Sequence, residues 1–234
     1  MRKNQAALNE RQWDNLVFAM KSLKKSDASR NWDYFAETHN HYGSLDGDGA
    51  HDHDLPHVDG VDLTIHDAFY WLAWHRKFIL EFESELQGDG LSGDLPYWDW
   101  TTTRDIPEAL HAKVGGWMNV SRAVFHDSDK LPTASDLRNV TGQSSYSSFD
   151  YGLRQLHAIV HNWIGGSMAN PATSAKDPLF FLHHAFLDKV WSQWQDDHPT
   201  QHFADEYLDG AIPPWDRLLV RDVMHIRELK YRYT

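Results

Sequence analysis

Residues 177–188 read DPLFFLHHAFLD, an apolar run that carries two adjacent histidines. The run opens with Asp-Pro, a good N-cap and first-turn pair, and predicts a helix over residues 177–195. On a helix, His183 and His184 project about 100° apart, so one of them is expected to join a shared site. Helix periodicity does not choose between them, because both faces of the helix are apolar. Asp188 lies one turn beyond His184 and could orient a ligand or simply pair with a nearby arginine.

A second histidine pair precedes this helix. His157 and His161 lie in residues 151–164, whose apolar spacing predicts a helix that ends at two glycines. Residues four apart project from the same helical face, so both rings can bind one metal ion. A third imidazole from the next helix would leave an open position, which is typical of a reactive metal. Two further pairs share this spacing but lie beside prolines in loop-like segments, and neither is expected to be functional: His53 and His57, and His198 and His202.

A similar set of histidines occurs earlier in the chain. His75 lies within the apolar run FYWLAWHR, where an imidazole without a partner would be costly. Its partner could be a backbone carbonyl. It could also be a metal shared with His66 and with either His39 or His41. The chain therefore offers histidines for two metal sites.

The type of ligand limits the choice of metal. Calcium and magnesium prefer oxygen ligands. A ferritin-like di-iron site needs Glu-x-x-His on two helices, and the chain has one match, at residues 108–111. Copper, zinc, iron and nickel accept imidazole. One site alone would favour zinc, whereas two sites without an obvious bridging carboxylate favour a pair of copper ions, which can each pass one electron to dioxygen.

The composition is that of a globular protein rich in aromatic residues. The chain has 234 residues, 16 histidines, no cysteine and a formal net charge of -12. The absence of cysteine excludes thiolate metal sites and iron–sulfur clusters, and the negative charge disfavours a nucleic-acid partner. No apolar stretch reaches the roughly 20 residues of a membrane span, and the N-terminus leads into no signal-peptide core. We therefore expect a cytoplasmic protein without a membrane partner.

Apolar periodicity predicts a mainly α protein with a four-helix-bundle core, loops and few short strands. The predicted helices span residues 9–24, 30–41, 66–87, 151–164 and 177–195. Residues 101–150 read as loops with short helices, and a short strand is expected within residues 229–233. No repeat or linker divides the chain, so residues 1–234 are expected to form one domain.

The histidine motifs resemble those of the tyrosinase family of type-3 dicopper proteins. The first motif is His66-x8-His75-Arg76, followed by Glu83. The second is His157-x3-His161, followed by DPxFFxxHxxxD over residues 177–188. Four shorter motifs are similar to bacterial tyrosinases: Thr38-His39-Asn40, PYWDW at residues 96–100, WxGGxM at residues 163–168, and Tyr231-x-Tyr233. The likeness spans roughly residues 3–234.

The resemblance implies a pair of copper ions as cofactor and dioxygen as co-substrate. The ligands it implies are His39, His66 and His75 for the first copper, and His157, His161 and His184 for the second. His183 would then be a neighbour of the site and not a ligand. Because the chain ends at the tyrosine pair, no C-terminal lid domain is expected over the site.

One position departs from the family pattern. Tyrosinases that hydroxylate monophenols are thought to carry Asn directly after the first histidine of the second copper, where it and a glutamate hold a water that deprotonates the phenol. Here that position is Ala158, whose side chain cannot hydrogen-bond. Phe149 and Asp150 fall near the expected place of the glutamate, so Asp150 is the predicted substitute base. We therefore expect less effect on oxidation of o-diphenols or o-aminophenols than on hydroxylation of monophenols.

The predicted function is a dicopper oxidase that converts small phenolic substrates to o-quinones; o-diphenols are the expected substrates, and the sequence leaves monophenols open. An o-aminophenol oxidase and a hemocyanin-like dioxygen carrier are alternatives with the same centre, and a zinc hydrolase is a weaker one. The absence of a lid favours an enzyme, because nothing evident in the chain shields the coppers from substrate. A separate copper chaperone and a homodimer are further expectations.

Overall fold

The computed structural model describes residues 1–43, 57–58, 61–62, 65–66, 69–111, 117–124, 128–201 and 208–234. Its α-helices are α1 (Glu10–Lys25), α2 (Trp32–Gly43), α3 (Trp71–Gly88), α4 (Ala134–Thr141), α5 (Tyr146–Ile164), α6 (Pro171–Ser174) and α7 (Pro178–Asp197). Its strands pair antiparallel in two ribbons, β1 (His57–Val58) with β2 (Val61–Asp62) and β3 (Ala211–Ile212) with β4 (Trp215–Leu219). The predicted mainly α fold is confirmed. His53 and His202 lie outside the described residues.

Aromatic side chains hold α2, α3, α5 and α7 together as the core. Phe82 of α3 and Phe181 of α7 stack with ring centroids 3.4 Å apart, and Phe35 of α2 contacts both rings edge-on. Farther along α7, Trp194 stacks on Phe149 of α5 with centroids 4.5 Å apart. Each of these rings buries a large apolar area and adds a specific ring contact. The four helices that carry most of the candidate ligands are therefore packed tightly against one another.

Two of the predicted helix starts are wrong. Helix α3 begins at Trp71 and not near residue 66, and His66 lies in a turn. This turn is joined to the end of α2, because the Ile65 N–H donates to the Tyr42 carbonyl at 2.9 Å. Helix α5 begins five residues earlier than predicted, because Ser145 caps it through the Ser148 N–H. The helices predicted over 9–24, 30–41 and 177–195 lie within a few residues of α1, α2 and α7.

The described residues of 101–150 contain short helices, as predicted. One of them, α4, begins with a capping box between Thr133 and Asp136. The strand predicted within residues 229–233 is wrong: the segment contributes an isolated bridge between Tyr233 and Arg2, and the ribbon of this region lies at β3 and β4. None of the helices in the described ranges combines the length and the apolar character needed to cross a bilayer.

Candidate metal centre

The first three candidate ligands come together from separate elements. His39 of α2, His66 of the turn and His75 of α3 each offer a ring nitrogen, and these nitrogens all lie within 4.8 Å of one another. Their ring centroids are 5.2 Å (His39 to His66), 5.7 Å (His39 to His75) and 5.4 Å (His66 to His75) apart. The predicted first cluster is thus assembled, with His39 and not the exposed His41 as its third member.

Backbone carbonyls fix the tautomer of these rings. A carbonyl oxygen only accepts, so each ring nitrogen bonded to one must carry the proton, and the other ring nitrogen keeps a lone pair for a metal. The Nδ1 atoms with such partners are those of His39 (Pro171, 3.0 Å), His66 (Gly43, 3.3 Å), His75 (Trp71, 2.8 Å) and His161 (Met168, 2.7 Å). In these four rings Nε2 is therefore unprotonated and able to bind a metal.

The second cluster lies between α5 and α7. The rings of His157 and His161 are 4.4 Å apart, as expected for residues four apart on one helical face. Both histidines of α7 are close to this pair: the centroid of His183 lies 5.4 and 5.1 Å from those of His157 and His161, and that of His184 lies 5.0 and 5.6 Å away.

Distances alone do not choose the third ligand. Nitrogens of His157, His161 and His183 all lie within 4.8 Å of one another. Nε2 of His184, however, lies 3.4 Å from Nε2 of His161. Two nitrogens bound about 2.0–2.1 Å from one tetrahedral metal would be about 3.4 Å apart, so this pair also fits one ion. The assignment of His184 as ligand and His183 as neighbour stays a prediction.

The two clusters face one common space. The rings of His75 and His184 stack with centroids 4.2 Å apart and planes inclined by 8°. His66 and His157 approach on another side, with centroids 5.9 Å apart. One small molecule could therefore contact both clusters at once.

Burial keeps the imidazoles neutral. It lowers the pKa of His161 to about 4, and it lowers the pKa values of His39, His75, His157, His183 and His184 well below their usual range, with neighbouring imidazoles adding to the effect in these five. Metal binding requires the neutral ring. These six buried histidines are therefore in the neutral form near neutral pH.

The donor set fits a pair of copper ions. Nε2 of His39, His75 and His157 is buried and has no hydrogen-bond partner among the described residues. Buried polar atoms in native proteins are normally paired, so these lone pairs point to a missing metal partner. Two clusters made entirely of imidazole suit copper and give no oxygen-rich site for calcium or magnesium. The two triads match the dicopper cofactor predicted from the sequence.

A cavity of about 320 Å³ opens onto this site. His66, His157 and His161 form part of its wall, beside Trp71 and the exposed Ala158. A cavity of about 610 Å³ lies at the far end of α7 and has none of the six candidate ligands in its wall. The smaller cavity therefore gives access to the histidines.

Asp150, the predicted base, lies one turn before Arg154 on α5. Its carboxylate pairs with Nε of Arg154 at 2.8 Å and accepts from the Trp71 indole and the Tyr146 hydroxyl. Burial raises its pKa, and the Arg154 guanidinium opposes that rise. Asp150 does not line the cavity, and its role as a base stays a prediction. Sequence reasoning missed Arg154, although the i, i+4 spacing of the pair was a usable signal.

Asp188 has arginine partners, as the alternative interpretation of the sequence expected. It is buried and pairs with Arg76 and Arg2, and it also accepts from the Tyr231 and Tyr233 hydroxyls. Any orientation of a ligand by Asp188 would act through Arg76, the chain neighbour of His75. No local signal in the sequence indicated that Arg2 belongs to this group, because it lies 186 residues from Asp188.

Comparison with known proteins agrees with this geometry. The family model for the common central domain of tyrosinase matches residues 29–131 and 117–197. The chain is 32% identical over 259 residues to a tyrosinase of Streptomyces antibioticus, and this match covers 92% of this chain and 88% of the relative. It is 33% identical over 276 residues to a tyrosinase of Streptomyces glaucescens, and this match covers 96% of this chain and 95% of the relative.

A solved structure shares the fold. A functional unit of octopus hemocyanin superposes with a TM-score of 0.79 at 21% sequence identity. The match covers 100% of this chain and 67% of the hemocyanin chain. At this identity the likeness concerns the fold alone. The tyrosinase matches extend over nearly the whole chain and include the segments that carry both histidine clusters, so the protein belongs to the tyrosinase family of type-3 copper oxidoreductases.

Proposed function

We propose that this protein uses dioxygen to oxidise o-diphenols to o-quinones. The observation that carries the proposal is the meeting of two histidine triads beside a cavity of about 320 Å³, a size within the range of small-ligand pockets. When bound, the copper pair would supply dioxygen binding, electron transfer and Lewis acidity. In the balanced reaction, two o-diphenols and one dioxygen give two o-quinones and two waters.

The chain's own part is to hold and orient the metal ligands. The proposed ligands are His39, His66 and His75 for the first copper, and His157, His161 and His184 for the second. The carbonyls that accept from Nδ1 of four of these rings restrict their rotation, so the rings are oriented before metal arrives. Nε2 of His39, His75 and His157 is buried, which limits the contact of these three lone pairs with water.

The cavity wall supports an aromatic substrate but offers little help in deprotonating a monophenol. Trp71, Met168 and Pro171 supply apolar surface for a ring. Ala158 gives no hydrogen bond, and the carboxylate of Asp150 is already bonded to Trp71 and Arg154. We therefore propose that o-diphenols, and o-aminophenols by the same route, react faster than monophenols.

A dioxygen carrier is the second candidate, because the octopus hemocyanin unit has the same fold and a fold alone does not separate the two functions. The two functions differ in whether a substrate reaches the metals. Among the described residues, the cavity reaches His157 and is bordered by exposed residues such as Ala158 and Gln155. This access favours turnover over storage.

The test is oxygen consumption by the copper-loaded protein with catechol, o-aminophenol and phenol in parallel. We expect fast turnover of catechol and slow or delayed turnover of phenol. Reversible oxygen uptake without any turnover would support the carrier instead, and prompt phenol turnover would contradict the proposed role of Ala158. As a matched pair, His161→Ala should reduce the copper content from two ions per chain to one and abolish oxidation, whereas His198→Ala should leave both unchanged.

Three further expectations remain proposals: a cytoplasmic location, a separate copper chaperone and a homodimer. Cell fractionation tests the first. Copper loading of the purified protein by free copper salts tests the second, because full loading would remove the need for a chaperone. Light scattering of the purified protein tests the third.

A further inference from the structure

The indole of Trp100 makes a hydrogen bond to His183 and not to His184, so the two adjacent histidines of α7 differ chemically. Its Nε1–H donates to Nδ1 of His183 at 3.1 Å, and both side chains are fully buried. The four carbonyl-bonded rings have the opposite arrangement, since their Nδ1 atoms donate. His183 therefore differs in kind from those rings, although its ring centroid is about as close to those of His157 and His161 as the ring centroid of His184 is.

The direction of this bond is set by chemistry. An indole nitrogen is a donor only, so Nδ1 of His183 must accept and cannot carry the proton. In a neutral imidazole the proton is then on Nε2. Nδ1 is not left to bind a metal, because its lone pair faces the indole N–H, and a protonated Nε2 has no lone pair to offer. This Nε2 is buried without a hydrogen-bond partner among the described residues, so the tautomer follows from the Trp100 bond and not from a partner of Nε2. His184 has no such donor: its Nδ1 is without a hydrogen-bond partner among the described residues, and its Nε2 points toward His161.

The segment that carries Trp100 is fixed against α7. The Trp98 N–H donates to the carbonyl of Leu182, the residue before His183, at 3.0 Å. The Trp98 indole donates to the Thr103 carbonyl at 2.8 Å, which closes the turn around Trp100. The Trp100 ring also contacts Phe186 edge-on, with centroids 5.1 Å apart. The donor is thus held in place by contacts on both sides of His183.

We propose that Trp100 is a positioning residue that holds His183 in the Nε2–H tautomer, keeps it off the second copper and leaves the third ligand place to His184. The inference rests on the dicopper centre and goes beyond the proposed function, because it explains how one of two similarly close histidines is selected. Its first test needs neither copper nor substrate.

That test is ¹⁵N NMR of the metal-free protein with labelled histidine. We expect Nδ1 of His183 to give the signal of an unprotonated nitrogen and Nε2 that of a protonated one. In Trp100→Phe, which keeps a ring but removes the donor, a population protonated on Nδ1 should appear. Trp194→Phe is the matched control, because its buried indole donates to the Gln143 carbonyl and not to a histidine. A wild-type His183 protonated on Nδ1 would overturn the proposal.

A copper-binding measurement gives the second test. His184→Ala should lose the second copper, and adding Trp100→Phe should release His183 to replace His184, so that the double variant binds the second copper at least about tenfold more tightly than the single one. Adding Trp194→Phe to His184→Ala should restore no binding at the second site. Retention of the first copper shows that each variant is folded. Full second-site binding by His184→Ala alone would contradict the proposal, since His183 would then be a ligand despite Trp100.

Discussion

At the scale of single residues, metal binding depends on which nitrogen of each imidazole carries the proton as well as on where the ring lies. Nδ1 of His75 donates to the Trp71 carbonyl within the same helical turn, which leaves Nε2 for metal. Ala158 shows the opposite case, in which a side chain next to a proposed ligand contributes no polar atom. Function at this site therefore depends on hydrogen-bonding capacity as well as on distance.

Replacing Ala158 by Asn tests that dependence. The Asn side chain would add a donor and an acceptor at the cavity wall, where it could hold a water near the phenol. A positioned proton acceptor contributes about 10²–10⁴-fold to a rate, so we expect Ala158→Asn to raise the ratio of monophenol to o-diphenol turnover by at least about tenfold. Initial rates with both substrates give the ratio. Ala169→Asn, also exposed on the same cavity, is the control, and an equal rise in both variants would speak against a specific role for position 158.

At the scale of elements, the C-terminal end of α2 sets the geometry of the first triad. Gly43 is the last residue of α2, and a Cβ there would lie 2.9 Å from Cε1 of His66 and 3.2 Å from Cε1 of His39. Real Cβ atoms do not approach neighbours at 2.9 Å, so one of the two rings would have to move. The close approach of α2 to the His66 turn thus requires a residue without a side chain.

Gly43→Ala should therefore weaken the first copper site selectively. We expect first-site affinity to fall by about 10–100-fold, the effect usual for disturbing the support of a ligand, with the second site unchanged. Titration of the metal-free protein with copper measures both sites. Gly88→Ala is a closely matched control, because Gly88 ends α3 and its added Cβ would meet nothing within 4 Å. Equal affinities in the two variants would show that the His66 turn adapts.

At the scale of the whole molecule, a buried charged cluster joins both chain ends to the metal-binding helices. Arg2 pairs with Glu83 of α3 and Asp188 of α7, and its guanidinium lies over the Tyr231 ring with its carbon 4.0 Å from the centroid. Asp188 also pairs with Arg76. The cluster connects the N-terminus, the C-terminus, α3 and α7, so loss of one member leaves buried partners uncompensated.

Arg2→Gln should accordingly destabilise the protein far more than its terminal position suggests. Removing one partner of a buried ion pair costs about 3–5 kcal/mol, and we expect a loss of that order in the free energy of unfolding. Urea denaturation of the metal-free protein measures it. Lys3→Gln, at the exposed neighbouring position, should change little. A small loss for Arg2→Gln would mean that the remaining charges rearrange at little cost.

The same cluster predicts a dependence of stability on pH. Burial alone would raise the pKa of Asp188, but Arg76 and Arg2 outweigh it and hold that pKa below its ordinary value. As the pH falls below about 4, the unfolded chain takes up the proton before the folded protein does, so the stabilisation is present above about pH 4 and is lost below it.

The measurement compares wild type with Asp188→Asn in urea at pH 6, 4 and 3. The difference in unfolding free energy should shrink as the pH falls, because only the wild type loses a carboxylate contribution. Asp196→Asn, which replaces an exposed carboxylate, should show a small difference with little pH dependence. If the difference in unfolding free energy between wild type and Asp188→Asn stays constant across this pH range, the lowered pKa of Asp188 is contradicted.

The sequence by itself determined which segments are helical and which histidines share a face. Apolar periodicity and the spacing of His157 and His161 are local properties, since residues four apart on a helix are neighbours whatever surrounds them. The same motifs determined the family and its dicopper cofactor. Helix starts were less predictable where a capping side chain or a turn attached to another helix decides them, as at α5 and α3.

The tertiary structure decided what local spacing leaves open. The donor that distinguishes His183 from His184 comes from Trp100, 83 residues away, and the partner of Asp188 comes from Arg2, 186 residues away. A helix sets the directions of its side chains, but the proton position on an imidazole and the partner of a buried carboxylate depend on groups that only chain folding brings into contact.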